Sequence, residues 1–350
     1  MSKKVLKKIL ALVMSLAMII VFMQGCGSSG GGNDTSEAAP DTKEEVTEES
    51  ETPAETQAAN EALSLAFVSY EGDIFTQTVF KGVEEQCAKL GIDYQLLGYL
   101  PDDGEQATSR MLEDALAMGV DMLVLSTQHP DAAKSVLPQF IEKGIPVVTI
   151  NDPVDLEGIT AHIGQDYVER MKISGDPMFK SLGKGKNTLI ITGPQEFPVC
   201  VDIATGFKES AEENGIEVLD ILNTSGTGDT TTAVAEDAIT RFGLDGIDSI
   251  CVWAPPIATS VAAVLENAGA NPGDILIACQ GGFKIEYDLF EQGWLYSTTT
   301  QEAYGMGTTA VDHALEALNS GEVFGNVLIG GEGEAATVEN YDTLDYNWLE

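Results

Sequence analysis

After residue 62 the sequence alternates between short apolar runs and amphipathic stretches, and this alternation constrains the fold more than any other feature. The first four runs read LSLAFVSY, IDYQLLGYL, DMLVLS and PVVTI. Helices are predicted between them, over residues 76–90, 103–118 and 132–143, and a glycine follows each helix, as expected for a left-handed C-cap. Strands that alternate with helices form parallel sheets with right-handed crossovers. The pattern therefore predicts an α/β fold.

The same pattern then begins a second time. Further strands are predicted in the segments NTLIITGP, IEVLDIL, SICVWAPP, DILIACQGG, YSTTTQEAY and VLIGGEG. Helices are predicted over residues 166–182, 201–214, 229–241, 258–268 and 305–318, with Asp229 as an N-cap. Because single sheets of such width are uncommon, two consecutive arrays predict two similar lobes rather than one long sheet.

The fourth strand is followed directly by polar side chains. It lies in the segment GIPVVTIND, residues 144–152, whose continuous apolar run is typical of a parallel strand covered on both faces. Ligands of open α/β sheets bind beyond the carboxyl ends of the strands. We therefore expect Asn151 and Asp152 to face a ligand-binding cleft.

The N-terminus carries a targeting signal rather than a folded element. Four lysines precede an apolar run, residues 9–22, that is too short for an ordinary membrane span. Gly25 and Cys26 follow, and the segment resembles a bacterial lipoprotein signal. The resemblance implies a signal peptide over residues 1–25 and a lipidated Cys26, with an uncleaved signal anchor as the alternative. Either way, we expect export and tethering to the outer face of the cell membrane.

Charge and cysteine usage narrow the choice of partners. The formal net charge is −38, which excludes nucleic acids as partners because neutralising phosphates requires lysine and arginine. Residues 26–61 are predicted to form an acidic, disordered tether. The remaining cysteines show no metal-ligand spacing, and one disulfide stays open as an alternative. The sequence predicts no metal, no cofactor and no catalytic residue.

Several local phrases occur together after residue 62: KGVEEQCAKLGID, GVDMLVLS with HPDAA, KGIPVVTIND, ITGP followed by GFKES, and GWLYSTTTQEAYGMG. With them the chain resembles the sugar-binding type of periplasmic binding protein, the pentose, hexose and polyol receptors of ABC transporters. The resemblance implies an N-terminal lobe of residues 62–165 plus 303–328 and a C-terminal lobe of residues 166–301 plus 331–350. Three crossovers, near residues 164–166, 301–303 and 328–331, would let the lobes close around a small molecule.

The resemblance also implies ligand-binding roles for ten individual positions of this chain. They are Asp73, Phe75, Thr76, Asn151, Asp152, Phe197, Trp253, Pro255, Gln280 and Gln301. For Phe75 and Trp253 a role as core filler is the alternative. The family pattern has basic residues after the fourth strand and ahead of the GFKES helix, and this chain lacks both.

Without those basic residues, Asp73 and Asp152 make the expected cleft repel anions such as sugar phosphates. A neutral sugar or polyol is the expected ligand. A cationic or nucleoside-like ligand stays open, and so does a furanosyl signalling molecule, because Ala254 and Pro255 resemble the corresponding residues in receptors for such a molecule.

The sequence thus predicts a monomeric, lipid-anchored receptor that delivers a small molecule to an ABC permease. A receptor that feeds a membrane sensor kinase is the alternative output. No HExxH or P-loop motif is present, and the GxSxG pattern at residues 27–31 lies in the predicted tether, which argues against a hydrolase. An export signal in place of a helix-turn-helix argues against a repressor.

Overall fold

Twelve strands and ten helices organise the part of the chain that the computed structural model describes, which comprises residues 62–100, 103–195, 197–225, 228–330 and 335–343. The predicted signal peptide, Cys26 and the tether up to residue 61 lie outside the described residues. Within these residues, every helix is too short or too polar to cross a bilayer.

The strands are β1 (Ser64–Tyr70), β2 (Asp93–Tyr99), β3 (Met122–Ser126), β4 (Val147–Ile150), β5 (Ala161–Gly164), β6 (Asn187–Thr192), β7 (Glu217–Asn223), β8 (Ser249–Val252), β9 (Leu276–Ala278), β10 (Leu295–Thr298), β11 (Gly325–Leu328) and β12 (Ala336–Thr337). The helices are α1 (Ile74–Leu90), α2 (Glu105–Met118), α3 (Pro130–Ala133), α4 (Leu137–Glu142), α5 (Tyr167–Leu182), α6 (Pro198–Asn214), α7 (Gly228–Phe242), α8 (Pro255–Ala268), α9 (Lys284–Glu291) and α10 (Ala303–Ser320).

The strands form two six-stranded sheets, ordered β11-β5-β4-β3-β1-β2 and β12-β10-β9-β8-β6-β7. All pairs are parallel except β10 with β12, which is antiparallel. The chain passes from one sheet to the other three times: between β5 and α5, between β10 and α10, and between β11 and β12. We call the first sheet with its helices the first lobe and the second sheet with its helices the second lobe.

The first sheet is covered on both faces, which explains its continuous apolar strands. One face packs against α1 and α10, and the other packs against α2, α3 and α4. Glycines bring α1 and α10 into close contact, because a Cβ atom at Gly307 would lie only 2.2 Å from the carbonyl oxygen of Val79. In the second lobe, α5 and α6 cover one face and α7, α8 and α9 the other.

Three local predictions are wrong in detail. The helix predicted over residues 132–143 is broken into α3 and α4. Pro138 explains the break, since it has no backbone N–H to continue a helix and fits only in a first turn. Asp229 is not an N-cap, because α7 begins one residue earlier, at Gly228. The strands β5 and β12 and the helix α9 are additional, and all three are too short to give a clear periodic signal.

Candidate ligand-binding site

The polar residues after β4 adopt a special backbone conformation. Asn151 has φ of 68°, in the left-handed region that asparagine tolerates better than most residues. Its backbone N–H donates to the carbonyl of Ile163 at 3.0 Å, and the N–H of Asp152 donates to the carbonyl of Ile150 at 2.8 Å. These bonds hold both side chains at the carboxyl edge of the first sheet, where Asp152 is only 7% exposed.

A chain of hydrogen bonds joins this edge to the second lobe. The hydroxyl of Tyr167, the first residue of α5, donates to the side-chain oxygen of Asn151. The Asn151 amide donates in turn to the Asp152 carboxylate at 2.9 Å. At the other end, the Gln301 amide donates to the Tyr167 hydroxyl at 3.2 Å. The network from Gln301 to Asp152 therefore links both lobes and one of the segments that pass between them.

Burial dominates the electrostatics of Asp152. Loss of water raises the pKa of its carboxyl to about 6, although the hydrogen bond from Asn151 acts in the opposite direction. Burial also raises the pKa of Tyr70, Tyr99 and Tyr167, and the nearby charge of Asp152 raises each of them further. The charge of Asp152 thus acts on three buried phenol groups.

Asp73 lies beside the same group of tyrosines and also has a structural role. Its carboxylate caps the N-terminus of α1, accepting from the Thr76 N–H at 2.7 Å and from the Thr76 hydroxyl at 3.0 Å. Its negative charge also raises the pKa of Tyr70. Burial raises the pKa of Asp73 and these hydrogen bonds oppose the rise. The first-loop residues Asp73 and Thr76 are therefore hydrogen-bonded to each other.

Phe75 lies in the apolar core between α1 and the first sheet and is 8% exposed. Phe283, in the segment between β9 and α9 of the second lobe, packs into the same core. Residues of both lobes therefore contribute to this core. A ligand-stacking role for Phe75 stays a prediction.

In the second lobe, a hydrogen bond joins Trp253 and Gln280. The Gln280 amide donates to the backbone carbonyl of Trp253 at 2.9 Å. The Trp253 ring lies against Gly193, where a Cβ atom would come within 3.1 Å of it. The indole N–H of Trp253 is buried and has no hydrogen-bond partner in the described residues. Pro255 begins α8 and Phe197 directly precedes α6.

Arg170 forms hydrogen bonds to two of the segments that pass between the lobes. It lies in α5, soon after the first passage, and is 4% exposed. Its guanidinium donates to the carbonyl of Gly330 at 3.0 Å and to the carbonyl of Thr300 at 2.5 Å. A further bond reaches the Thr300 hydroxyl at 3.1 Å. The side chain therefore stabilises the junction between the lobes.

The structure brings together only part of the predicted set. Asn151, Asp152 and Gln301 share one network, whereas Asp73 and Thr76 are hydrogen-bonded to each other and the charges of Asp73 and Asp152 both act on Tyr70. Phe75, Phe197 and Pro255 take no part in the network because their side chains have no polar atoms. Ligand contacts at all ten positions stay predictions.

Sequence reasoning missed the three tyrosines. Tyr70 and Tyr99 end β1 and β2, at the same edge of the first sheet as the residues after β4. The rule that singled out Asn151 and Asp152 could have found both of them. Tyr167 follows Asp166, the N-cap of α5, and had no comparable signal.

Comparisons with known proteins agree with this architecture. The periplasmic binding protein domain family matches residues 65–322. The ribose import binding protein RbsB of Bacillus subtilis (strain 168) is 21% identical over 256 residues, which cover 73% of this chain and 81% of the relative.

Two solved structures share the fold. One is a periplasmic solute-binding protein of an ABC transporter from Actinobacillus succinogenes 130z with bound D-allose; its TM-score is 0.74 at 17% identity, with 81% of this chain and 100% of that chain covered. The other is a galactofuranose binding protein, with a TM-score of 0.72 at 17% identity and coverage of 80% and 96%. Members of the matched family are binding proteins rather than enzymes. The chain belongs to the periplasmic binding protein domain family and has its type I fold.

Proposed function

We propose that this protein is a lipid-anchored, extracytoplasmic receptor that captures a small sugar or polyol between its lobes and delivers it to an ABC permease. The observation that carries the proposal is the network from Gln301 through Tyr167 and Asn151 to Asp152. It places hydrogen-bonding groups from both lobes at the edge of a parallel sheet where ligands bind.

The chemistry of this edge suits a hydroxylated ligand. Carboxylate and amide oxygens accept hydrogen bonds from hydroxyl groups, and amide N–H groups donate to them. Tyr70, Tyr99 and Tyr167 add phenol hydroxyls and aromatic rings, which suit the polar rim and the apolar face of a sugar. Ribose, D-allose and galactofuranose, which the related proteins bind according to their names, support this class of ligand.

Charge argues against an anionic ligand. Asp73 and Asp152 both lie near Tyr70, whose pKa is raised by burial and then by these two carboxylates. A phosphate or uronate at this edge would be repelled by both groups. We therefore expect sugars and polyols to bind and their phosphorylated forms to be rejected.

Ligand binding would act by closing the lobes. The hydrogen bond between Tyr167 and Asn151 joins the two lobes next to the first passage between them. A ligand that contacts both sides stabilises this arrangement, and the permease would recognise it.

The experiment is thermal unfolding of the purified full-length chain with a panel of pentoses, hexoses, polyols, nucleosides, small amines and sugar phosphates. A ligand at about 100 times its Kd should add roughly 2.7 kcal/mol to the free energy of unfolding. Stabilisation by a sugar or polyol supports the proposal. The proposal would be overturned if only sugar phosphates stabilise the protein, or if none of the sugars and polyols in the panel does.

The membrane anchor is tested separately. We propose that Cys26 carries the lipid. Mass spectrometry of the mature N-terminus should show a diacylated cysteine at residue 26 in membrane fractions. Cys26→Ser should release the protein from the membrane, and an unmodified Cys26 in the membrane-bound protein would contradict the proposal.

A further inference from the structure

Among the described residues, the buried carboxylate of Asp152 has no cationic partner. Every lysine and arginine after residue 61 lies in the described part of the chain. The ion pairs found there involve neither Asp73 nor Asp152. The hydrogen bond that Asp152 receives from a side chain comes from the neutral amide of Asn151.

Arg170, which lies one helical turn from Tyr167, does not supply the missing charge. Its guanidinium is directed at the carbonyls of Gly330 and Thr300, and the charge it feels most is that of Glu302. The positive charge nearest to the network is therefore used to hold the junction between the lobes.

The surroundings of Asp152 suit a cation in two ways. Asp73 contributes a second carboxylate near Tyr70, so the local charge of the described groups is negative. Tyr70, Tyr99 and Tyr167 provide phenol oxygens that can accept hydrogen bonds from an ammonium group and rings that attract a cation. A buried carboxylate is costly unless it is paired, and a ligand can supply the partner.

We propose that the ligand carries a protonated amine on a hydroxylated skeleton, as in an amino sugar or an amino polyol, and that this ammonium group binds Asp152. The inference rests on the proposed function and narrows its ligand class, because it selects a cationic sugar over the neutral one expected from sequence.

The protonation state of Asp152 supports the pairing. Burial raises the pKa of this carboxyl to about 6, and a bound ammonium group would favour the charged form and bring the value down. Affinity for an amine should accordingly fall as the pH is lowered through about 6.

The test uses matched ligand pairs. Glucosamine and glucose, galactosamine and galactose, and mannosamine and mannose are titrated calorimetrically into the full-length chain at pH 7.5, together with the N-acetylated sugars, which lack the charge. We expect at least one amine to bind about tenfold or more tightly than its neutral and acetylated counterparts, as a charge-assisted hydrogen bond predicts.

Two variants test whether Asp152 causes the preference for the amine. Asp152→Asn keeps the size of the side chain and removes its charge, so it should abolish most of the preference for the amine. Asp155→Asn, an exposed residue three positions further along, is the matched control and should leave the preference unchanged. A preference for the amine that survives Asp152→Asn overturns the assignment to Asp152.

The remaining outcomes separate this inference from the proposed function. Neutral sugars that bind as tightly as their amines, or more tightly, overturn the inference and leave the proposed function standing. Binding of amines without hydroxyl groups as tightly as amino sugars supports the cation site and overturns the sugar function. Binding of none of these sugars, together with no stabilisation by the pentoses, hexoses and polyols of the first panel, overturns both.

Discussion

The hydroxyl of Tyr167, at the start of a second-lobe helix, donates a hydrogen bond to the side-chain oxygen of Asn151, at the end of a first-lobe strand. The two residues lie on opposite sides of the first passage between the lobes. Because Asn151 also donates to Asp152, the hydrogen bonds run from the second lobe to the carboxylate at the proposed ligand position.

Replacement of Tyr167 by phenylalanine tests this relationship. Tyr167→Phe removes one hydrogen bond worth about 1 kcal/mol and should weaken ligand affinity roughly fivefold. Tyr304→Phe is the matched control, since the Tyr304 hydroxyl bonds to Glu85 on the exposed side of α1 and should not affect affinity. Calorimetric titration measures both, and equal affinities for the two variants would contradict the role of Tyr167.

Removing the charge of Asp152 should stabilise the ligand-free protein at neutral pH. Burial raises the carboxyl pKa from 3.8 to about 6, so the folded state favours the protonated form. The stability linked to this proton is fully present below pH 3.8 and is lost as the pH rises through about 6. Asp152→Asn should therefore unfold with a free energy roughly 2–3 kcal/mol above the wild type at pH 8.

The same comparison at pH 4 supplies the internal control. There the wild-type carboxyl is largely protonated in the folded state, and the difference between the two proteins should shrink towards zero. Urea unfolding at a series of pH values measures the difference. If the gain in the free energy of unfolding does not change with pH, or if the variant is less stable than the wild type at pH 8, Asp152 is not an unpaired buried carboxylate.

The junction between the lobes depends on Arg170. Arg170→Met leaves the carbonyls of Gly330 and Thr300 without their charged donor, and it should lower the free energy of unfolding by roughly 2–4 kcal/mol. Arg241→Met provides the comparison, since Arg241 pairs with Asp220 at 2.9 Å on the surface and its side chain is 46% exposed. Loss of such a pair costs about 1 kcal/mol or less. Similar losses in both variants would show that Arg170 has no special role.

The contact between α1 and α10 tolerates no added side chain. Gly307→Ala would place a methyl group 2.2 Å from the Val79 carbonyl oxygen and should destabilise the protein by about 2 kcal/mol or more. Gly305→Ala lies in the same helix, where the nearest atom, on Ile329, is 3.6 Å away. That change should be neutral or stabilising by up to about 1 kcal/mol, because alanine favours the helix. Thermal unfolding distinguishes the two, and a destabilised Gly305→Ala would contradict the packing argument.

The sequence predicted most strands, most helices and the edge of the sheet that carries the candidate site, because periodicity and strand ends are local signals. The position of Asn151 and Asp152 followed from the apolar run that precedes them. Contacts set by tertiary packing could not be read in this way. The hydrogen bond from Tyr167 to Asn151 and the packing of Phe283 into the core of the opposite lobe depend on how the two lobes meet.

The function of individual polar groups was also hidden from the sequence. Asp73 was expected to face the ligand, and its carboxylate also caps α1. Arg170 carried no motif, yet it bonds to two separate segments between the lobes. The cap is a local signal that sequence could have given, whereas the carbonyls that Arg170 contacts lie far away in sequence and approach it only in the folded chain.

The central claim is that a small hydroxylated ligand binds at the carboxyl edge of β4, between the lobes. The most direct measurement is a crystal structure of the complex with the sugar, polyol or amino sugar that stabilises the protein most. We predict ligand density within hydrogen-bond distance of the Asp152 carboxylate, with further contacts from a tyrosine and from the second lobe. Ligand density elsewhere, for example in the cavity of about 550 Å³ lined by Pro130, Leu156 and His162, would contradict the claim.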